Sequence, residues 1–396
     1  MRLDDPVSAL AAERSRLGDT FIVDSGDDRY LFTFSADGVG AFYALDETVA
    51  SKAIADWRML RRKLPDEIFT GRRTLPHQLF GREDVAAYLA NVEVALDATI
   101  EELGTHGVID VFALTRRVAH RVGLASWGGP GAATGATFER LVAALDTLDG
   151  SESFVHPDAM EAVARSGKSA ERAALATIVE TMPIDGSSSR LFARIAAEWP
   201  HDEPDRRAGI AYDVTLIHVA SMSNLYAALG WALIDLIAAP DAMVPVLTGD
   251  RSWTEQCMLE STRLAQRSIM ARFVLQTVGF NDGDQTYEVG PGTTIATLLP
   301  LTNTTTAPGL GRWDPSRWTR RRLDLAAPQL VTAFGHGHHT CPAQPFALAA
   351  MTATVIRLCR TYRLEPGWRD RPIPVAAQIG GVARAAGDCP MYYAAR

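Results

Sequence analysis

Cysteine is scarce in this chain of 396 residues, which contains only Cys257, Cys341, Cys359 and Cys389. No two of them form a C-x-x-C pair, and their wide spacing disfavours both a disulfide framework and a structural zinc finger. We therefore expect the thiols to be reduced, as is usual in the cytoplasm.

Basic residues are in the minority, with 39 Lys and Arg against 47 Asp and Glu and a formal net charge of -8. A general nucleic-acid binder needs a basic surface, so this class of function is excluded. The N-terminus lacks the apolar run of a signal peptide, and the apolar stretch 227–239 carries Asp235 and is too short to span a bilayer. The sequence predicts a cytoplasmic protein without a membrane partner.

Neither a linker nor an internal repeat divides the chain, and helical periodicity dominates from about 72 to 250. The longest predicted helix covers 205–239 and is apolar on most faces, so it should cross the middle of the molecule. Further helices are predicted over 81–103, 110–127, 136–150, 170–182 and 253–268.

The predicted β content is small. Segments 20–25 and 29–34 flank a turn and indicate a hairpin, after which Ser35 is a good helix N-cap. A strand over 270–280, a turn and a second strand over 285–289 are also predicted. The stretch 290–330 is expected to be irregular, and a last helix is predicted over 342–362. The fold class is therefore mainly α with a small β part.

The segment 332–358 carries the sharpest chemical signal. Gly335 and Gly337 permit a tight loop that brings Cys341 to a helix start, with Pro342 at the first helical position. The helix dipole and free N–H groups there should lower the pKa of the thiol, so that the thiolate is a nucleophile or a metal ligand. The nearby histidines could suggest zinc, but an ordinary loop explains them better; they are His336, His338 and His339.

This segment resembles the haem-binding signature of the cytochrome P450 family, F-x-x-G-x-x-x-C-x-G. Phe334, Gly337 and Cys341 fall at the required spacings, and Ala343 replaces the preferred second Gly. His339 stands where the family often has a basic residue that contacts a haem propionate. The resemblance implies haem b (iron protoporphyrin IX) with Cys341 as the axial iron ligand.

Other landmarks of the family follow in the same order. Glu260 and Arg263 resemble its E-x-x-R pair and can form an ion pair on one helix face. The stretch 313–318 resembles the F-D-P-x-R-F of its meander. Arg272 and Arg73 match two arginines that bind haem propionates, Arg73 four residues after Phe69 in place of the family's W-x-x-x-R.

The resemblance covers nearly the whole chain and implies the cytochrome P450 fold in one domain, 1–396. Within it we expect a β-rich part mainly over 18–35 and 268–300. The helical haem-binding part should lie mainly over 70–265 and 330–365.

The long helix departs from the family pattern. The usual A-G-x-D/E-T is replaced here by residues 220–224, with Ser223 at the acid position and Asn224 at the alcohol position. Neither side chain can act as an acid near neutral pH. The Asn resembles the branch that contains sterol 7α-hydroxylases and prostacyclin synthase, which includes oxygen-activating and oxygen-independent enzymes. We expect protons to travel through water or a substrate group held by Asn224 and Ser223.

The resemblance implies a soluble, bacterial-type monooxygenase, active on a small or medium organic substrate such as a specialised metabolite, a lipid or a sterol-like compound. Electrons should come from a separate ferredoxin and its reductase, and the protein should be a monomer. The substrate pocket should include Ala220, Met222, Ile269, Met270 and Ile379. Three alternatives stay open: an oxygen-independent isomerase or dehydratase, a peroxide-driven peroxygenase and a non-catalytic haem sensor.

Two weaker patterns remain. The basic residues Arg58, Arg61, Arg62 and Lys63 fit a solvated loop, a substrate gate or a docking face for an acidic redox partner. The triplet 303–305, Asn-Thr-Thr, matches a glycosylation sequon by its letters, which a cytoplasmic chain would not use.

Overall fold

The computed structural model describes residues 4–70, 79–150, 157–185, 189–319 and 327–396. Helices account for most of these residues, as their hydrophobic periodicity predicts. The first eight are α1 (Pro6–Leu17), α2 (Ala36–Ala44), α3 (Lys52–Leu60), α4 (Val85–Leu103), α5 (Val111–Trp127), α6 (Gly135–Asp149), α7 (Pro157–Arg165) and α8 (Ser169–Thr181). The others are α9 (Arg190–Ala197), α10 (Arg206–Ile217), α11 (Ser223–Ala238), α12 (Pro240–Thr248), α13 (Arg251–Ala265), α14 (Leu299–Thr305) and α15 (Gln344–Thr361).

The strands are short and belong to three sheets. They are β1 (Thr20–Ser25), β2 (Asp28–Thr33), β3 (Ala50–Ser51), β4 (His106–Asp110), β5 (Ile269–Val274), β6 (Val278–Asn281), β7 (Thr286–Val289), β8 (Thr293–Leu298), β9 (Tyr362–Pro366) and β10 (Pro390–Ala395). The largest sheet has the order β1-β2-β8-β5-β3, in which only the β2–β8 pair is parallel. The β4-β10-β9 sheet and the β6–β7 hairpin are antiparallel. Two segments far apart in the chain, 20–33 and 269–298, thus build one sheet.

Two predictions about this β part are wrong. The strand predicted over 270–280 is two strands, β5 and β6, of which β6 turns away to pair with β7. The stretch 290–330 is not irregular throughout, because it contains β8 and α14. The Gly-Pro-Gly at 290–292 marks only a turn before β8, whose residues pair with both β2 and β5. Non-local pairing therefore decides the conformation of this segment.

The long helix is interrupted in its middle. Residues His218–Met222 form a π-helical segment between α10 and α11, a distortion that is often found at functional sites. Every residue from Leu225 to Leu236 is buried, and α11 packs against α5, α13 and α15. The stretch Arg206–Ala238 is long and apolar enough to cross a membrane, but 72% of its most apolar window is buried within the protein. It is therefore the central core helix that its composition predicts.

Candidate functional site

The loop from Phe334 to Cys341 closes on itself through its backbone. The Cys341 N–H donates to the Phe334 carbonyl at 2.7 Å. Gly335 and Gly337 have φ values of 83° and 60°, a region that favours glycine. A Cβ on Gly335 would lie 2.6 Å from the His339 carbonyl oxygen, so the loop admits no side chain there. These contacts hold Cys341 in a defined position.

The helix after this loop begins later than the sequence predicts. It starts at Gln344, and Pro345 rather than Pro342 occupies its first turn. Burial raises the pKa of Cys341, although the N–H groups of Ala343 and Gln344 act to lower it. The expected lowering of this pKa is therefore wrong for the chain alone, because desolvation of the thiolate outweighs the helix-end donors.

A cavity of about 480 Å³ lies beside Cys341. The predicted site residues that line it come from the long helix, from β5 and from the cysteine loop. They are Ala220, Met222, Asn224, Met270, Phe334, His339 and Cys341. Of the other predicted residues, Ser223, Ile269 and Ile379 are not part of its lining, and Ile379 is 36% exposed.

Aromatic rings close another part of the same cavity. Phe80, Tyr88, Trp127 and Phe346 all line it and contact one another, with ring centroids 5.0 Å apart for Tyr88 and Phe346 and 5.4 Å apart for Phe80 and Phe346. Sequence reasoning did not single out these four residues. The cavity is thus largely apolar, with one thiol in its wall.

A buried basic pair lies at the edge of this cavity. Arg272 is 1% exposed, donates to the Ala50 carbonyl at 2.7 Å and hydrogen-bonds to His339 Nε2. The Nε of Arg272 has no hydrogen-bond partner among the described residues. Its Nη1 lies 3.6 Å from the Glu47 carboxylate. Arg272, His339 and Gly337 also line an adjoining cavity. Arg73, the third predicted propionate ligand, lies outside the described residues.

These residues fit a haem. A flat apolar group with carboxylates at one edge matches a cavity with apolar walls, a thiol and a buried guanidinium that has unused hydrogen-bonding capacity. An unpaired donor of a buried cation calls for an anionic acceptor. The residues that could hold such a group are Cys341 on the metal and Arg272 and His339 on the carboxylates.

Asn224 uses half of its hydrogen-bonding capacity on the backbone. Its Nδ2 donates to the Ala220 carbonyl at 2.9 Å, and its Oδ1 accepts from the Val382 N–H at 2.9 Å. Ser223 Oγ donates to the Val219 carbonyl of the same helix at 3.0 Å. Both predicted polar residues therefore take part in the structure of the helix, and Asn224 also ties it to the C-terminal loop.

Glu260 and Arg263, the predicted pair, are fully buried and hydrogen-bond through both carboxylate oxygens, at 2.7 and 2.9 Å. Arg263 also donates to the Leu310 carbonyl at 2.8 Å and to the Asn303 carbonyl. Glu260 accepts from the Asp314 N–H and from Trp318 Nε1. The pair thus holds the 310–318 segment against α13.

Sequence reasoning missed a buried row formed by Asp146, His120 and His218. The three side chains come from α6, α5 and the π segment and are hydrogen-bonded in that order. The only sequence signal was one histidine in each of two predicted helices, over 110–127 and 205–239. In the basic run 58–63, the three arginines are exposed, Arg58 and Arg62 pair with Asp28, and Lys63 is buried.

Helix order, the mixed sheet and the cysteine loop at the start of α15 together define the cytochrome P450 fold. The structure of CYP175A1 from Thermus thermophillus matches with a TM-score of 0.69 and 20% identity, over 98% of this chain and 95% of that one. The heme domain of cytochrome P450DA matches with a TM-score of 0.76 and 16% identity, over 98% and 93%. A mutant of that domain gives 0.75 and 16%, over 99% and 93%. No protein-family model and no curated protein matches the sequence.

Proposed function

We propose that this chain is a haem-thiolate monooxygenase of the cytochrome P450 family that inserts one oxygen atom from O2 into a small or medium organic substrate. The observation that carries the proposal is the place of Cys341. Its loop lines an apolar cavity that residues 220–222, 224 and 225 of the long helix also line. A partly buried cysteine in such a loop is a suitable haem-iron ligand.

The cofactor in this proposal is haem b, which when bound supplies the activation of O2. Cys341 holds the iron, and Arg272 and His339 bind the propionates, with Arg73 as a further proposed partner. Phe334 and Gly337 shape the loop around the thiolate. The cluster around Phe346 excludes water from one side of the cavity.

The substrate part of the proposal rests on apolar walls. Ala220, Met222 and Met270 face the cavity, which favours a substrate with an apolar body. Asn224 keeps one N–H and one lone pair of Oδ1 beyond its backbone bonds, enough to hold a water there. Ile269 and Ile379 are kept only as residues that a larger substrate would reach.

The proposed electron donor is a separate ferredoxin with its reductase. Arg251, Arg357 and Arg360 line one surface recess along α15, the helix that follows Cys341. Glu93 also lines it, and Arg357 pairs with Asp97 at 2.7 Å, so the recess has an excess of basic charge. A basic surface there suits an acidic partner, because charge complementarity steers association. We further propose a monomeric, soluble protein of bacterial type in one domain, 1–396.

The first test replaces the proposed ligand. Cys341→Ser should abolish the thiolate-type Soret band of the reduced, carbon-monoxide-bound protein, because only a thiolate ligand shifts the band in this way. Cys389→Ala, which removes a buried thiol outside the cysteine loop, should keep it. A thiolate-type band that survives in Cys341→Ser would refute the proposal.

The second test concerns the propionate contacts. Arg272→Met should raise the rate of haem loss by about tenfold or more, because a charge-assisted bond is lost. The haem-free protein should lose about 1–3 kcal/mol, because the buried Ala50 carbonyl loses its donor. Arg267→Met is the matched control, because Arg267 is buried but donates to the Gln378 and Ala376 carbonyls. Equal haem loss in the two variants would exclude a specific role for Arg272.

A second candidate function is an oxygen-independent isomerase or dehydratase. It is favoured by one observation, the absence of an acid at Ser223 and Asn224. The two candidates differ in their need for electrons. Product formed in the absence of any reductant and of O2 would favour the isomerase, and product formed only with NADH and a ferredoxin system would favour the monooxygenase.

A further inference from the structure

Three side chains form a hydrogen-bonded row between the surface and the π segment of the long helix. His120 Nε2 lies 2.8 Å from Asp146 Oδ1, and His120 Nδ1 lies 2.7 Å from His218 Nε2. Both histidines are 4% exposed, whereas the Asp146 side chain is 34% exposed. The row therefore has one end in solvent and the other inside the protein.

The order of donors in this row follows from its partners. A carboxylate only accepts, so His120 Nε2 must carry a hydrogen towards Asp146. In neutral His120 the Nδ1 is then an acceptor, and His218 Nε2 must donate to it. That leaves Nδ1 of neutral His218 as a bare acceptor at the inner end.

The inner end lies beside the wall of the cavity. His218 is the first residue of the π segment, and Ala220, Ser221 and Met222 of the same segment line the cavity. A Cβ on Gly123 would lie 2.9 Å from His218 Nδ1 and 2.7 Å from Met222 Cγ. His218 itself does not line the cavity, but its Nδ1 and the cavity-lining Met222 both lie against Gly123, the point of α5 that lacks a side chain.

Charged side chains surround the outer end of the row. Arg116 Nε lies 2.9 Å from Asp146 Oδ1 and reaches Asp149 at 3.4 Å, and Arg384 and Tyr226 also contact Asp149. Burial, together with the nearby His120, holds the pKa of His218 well below its usual range. A proton that enters the row from Asp146 reaches His120, its direct partner, before His218.

We propose that Asp146, His120 and His218 form a proton relay that supplies protons from solvent to the cavity. This inference rests on the proposed monooxygenase function, in which protons are consumed at the cavity. When His120 carries the extra proton, its Nδ1–H donates to His218 Nε2, and His218 presents an Nδ1–H at its inner end.

The transfer balances without moving electrons. The His218 Nδ1–H bond breaks and its proton leaves towards a water in the cavity, while the His120 Nδ1 proton moves to His218 Nε2. Both rings are then neutral. In the return step the Nε2–H bond of each ring breaks and an Nδ1–H bond forms on the same ring by tautomerisation. Asp146 then passes one proton from solvent to the vacated Nε2 of His120, which restores the starting state.

The relay would supply the protons that Asn224 cannot give. Asn224 can hold a water in the cavity but has no proton to give near neutral pH. The row reaches the same helix at His218, six residues before Asn224, and its other end is connected to solvent. Its residues would act as proton carriers through water and not by contact with substrate.

The test begins with a readout that does not depend on turnover. Nitrogen NMR of the histidine rings should show His218 Nδ1 without a hydrogen and His120 Nε2 with one near neutral pH. It should be recorded for the haem-free protein and for the reduced, carbon-monoxide-bound holoenzyme. Asp146→Asn, near the exposed end, should change the His120 signals, whereas Asp149→Asn removes a charge three residues away and should leave them unchanged. A hydrogen on His218 Nδ1 in the neutral row would overturn the proposal.

The second readout is the yield of product per NADH consumed. His218→Gln and Asp146→Asn should each lower it by about tenfold or more, with unchanged haem content and carbon-monoxide band, because uncoupled electrons then go to peroxide. Asp149→Asn should retain the wild-type yield. Unchanged yield in His218→Gln with an intact band would overturn the relay alone. If the wild-type protein shows no thiolate-type band that depends on Cys341, both the proposed function and the relay are overturned.

Discussion

Two buried polar regions lie within the helical part of this molecule, and they use their hydrogen-bonding groups differently. Around Glu260 and Arg263, both carboxylate oxygens and all three guanidinium nitrogens have partners in the protein. In the middle of the long helix, His218 and Asn224 bind the protein with only part of their capacity. The first region is a nearly saturated ion-pair network, and the second keeps donors and acceptors for a ligand, water or protons.

This difference separates stability from chemistry. A buried ion pair is stable when nearly all of its groups have partners. The pair of Glu260 and Arg263 uses both carboxylate oxygens and four of the five guanidinium N–H groups, which leaves little capacity for a ligand. A π segment and a helix-bound amide cost some stability but leave reactive nitrogens near a cavity. The following three predictions would sharpen this contrast or break it.

The largest effect is expected at Glu260. Glu260→Ala leaves Arg263 buried without its counter-charge, and we expect a loss of about 3–5 kcal/mol in the free energy of unfolding. Urea unfolding followed by circular dichroism measures it. Glu260→Gln keeps the shape and an acceptor and should lose less.

The matched control for this prediction is Arg317→Ala. Arg317 contacts the same carboxylate only at 3.4 Å and is 15% exposed, so its loss should cost about 1 kcal/mol or less. If Glu260→Ala and Arg317→Ala lower the free energy of unfolding by equally small amounts, the ion-pair network around Glu260 does not stabilise the fold in the way expected here.

An intermediate effect is expected at Asn224. Asn224→Ala leaves the buried Val382 N–H without its acceptor, so the free energy of unfolding should fall by about 1–3 kcal/mol. Ser223→Ala removes only a bond within the helix and should cost about 0.5 kcal/mol. Thermal unfolding of both variants gives the comparison. A larger loss in Ser223→Ala would mean that the C-terminal loop does not depend on Asn224.

The smallest effect is expected at a more exposed ion-pair network, that of Glu102. Glu102 hydrogen-bonds to Arg117 and Arg121, and mainly the bond from Arg117 lowers its pKa to about 2. Since the folded pKa lies below the unfolded one, the contribution is present above the ordinary Glu range and is lost as pH falls towards this value. With the side chain 41% exposed, solvent screening limits it, so Glu102→Gln should cost less than about 1 kcal/mol near pH 7.

The pH dependence supplies the check on this exposed network. The difference in unfolding free energy between Glu102→Gln and the wild type should shrink between about pH 5 and about pH 3. Denaturant unfolding at both pH values measures it. A difference that grows as the pH falls would contradict the sign worked out above.

Much of the fold could be predicted because it depends on local patterns. The apolar stripe of α4 and the N-cap Ser35, whose Oγ accepts from the Gly38 N–H at 2.9 Å, are encoded within a few residues. Strand β8 was missed because the conformation of its Thr-rich sequence is determined by pairing with two strands from other parts of the chain. The late start of α15 was missed because two prolines, Pro342 and Pro345, compete for the same role.

The candidate site divides in the same way. The spacing of Phe334, Gly337 and Cys341 is local, and the structure folds these residues as one loop. The row of His120, Asp146 and His218 joins residues 26 and 98 positions apart, and no spacing rule connects them. The π segment is equally invisible in the sequence, since an apolar helix pattern does not reveal one extra residue in a turn.

The buried amide of Asn303 has a consequence for how the protein is made. Both of its Nδ2 hydrogens are used, on the Arg263 carbonyl at 3.1 Å and the Thr332 carbonyl at 2.9 Å, while Oδ1 accepts from the Thr332 N–H. Asn303 also begins an Asn-Thr-Thr triplet, the acceptor for N-linked sugars. A sugar added to the nascent chain in a eukaryotic secretory host would replace one of these hydrogens before the interior forms. Such a host would therefore yield misfolded material, whereas synthesis in the cytosol leaves the amide free to fold inward.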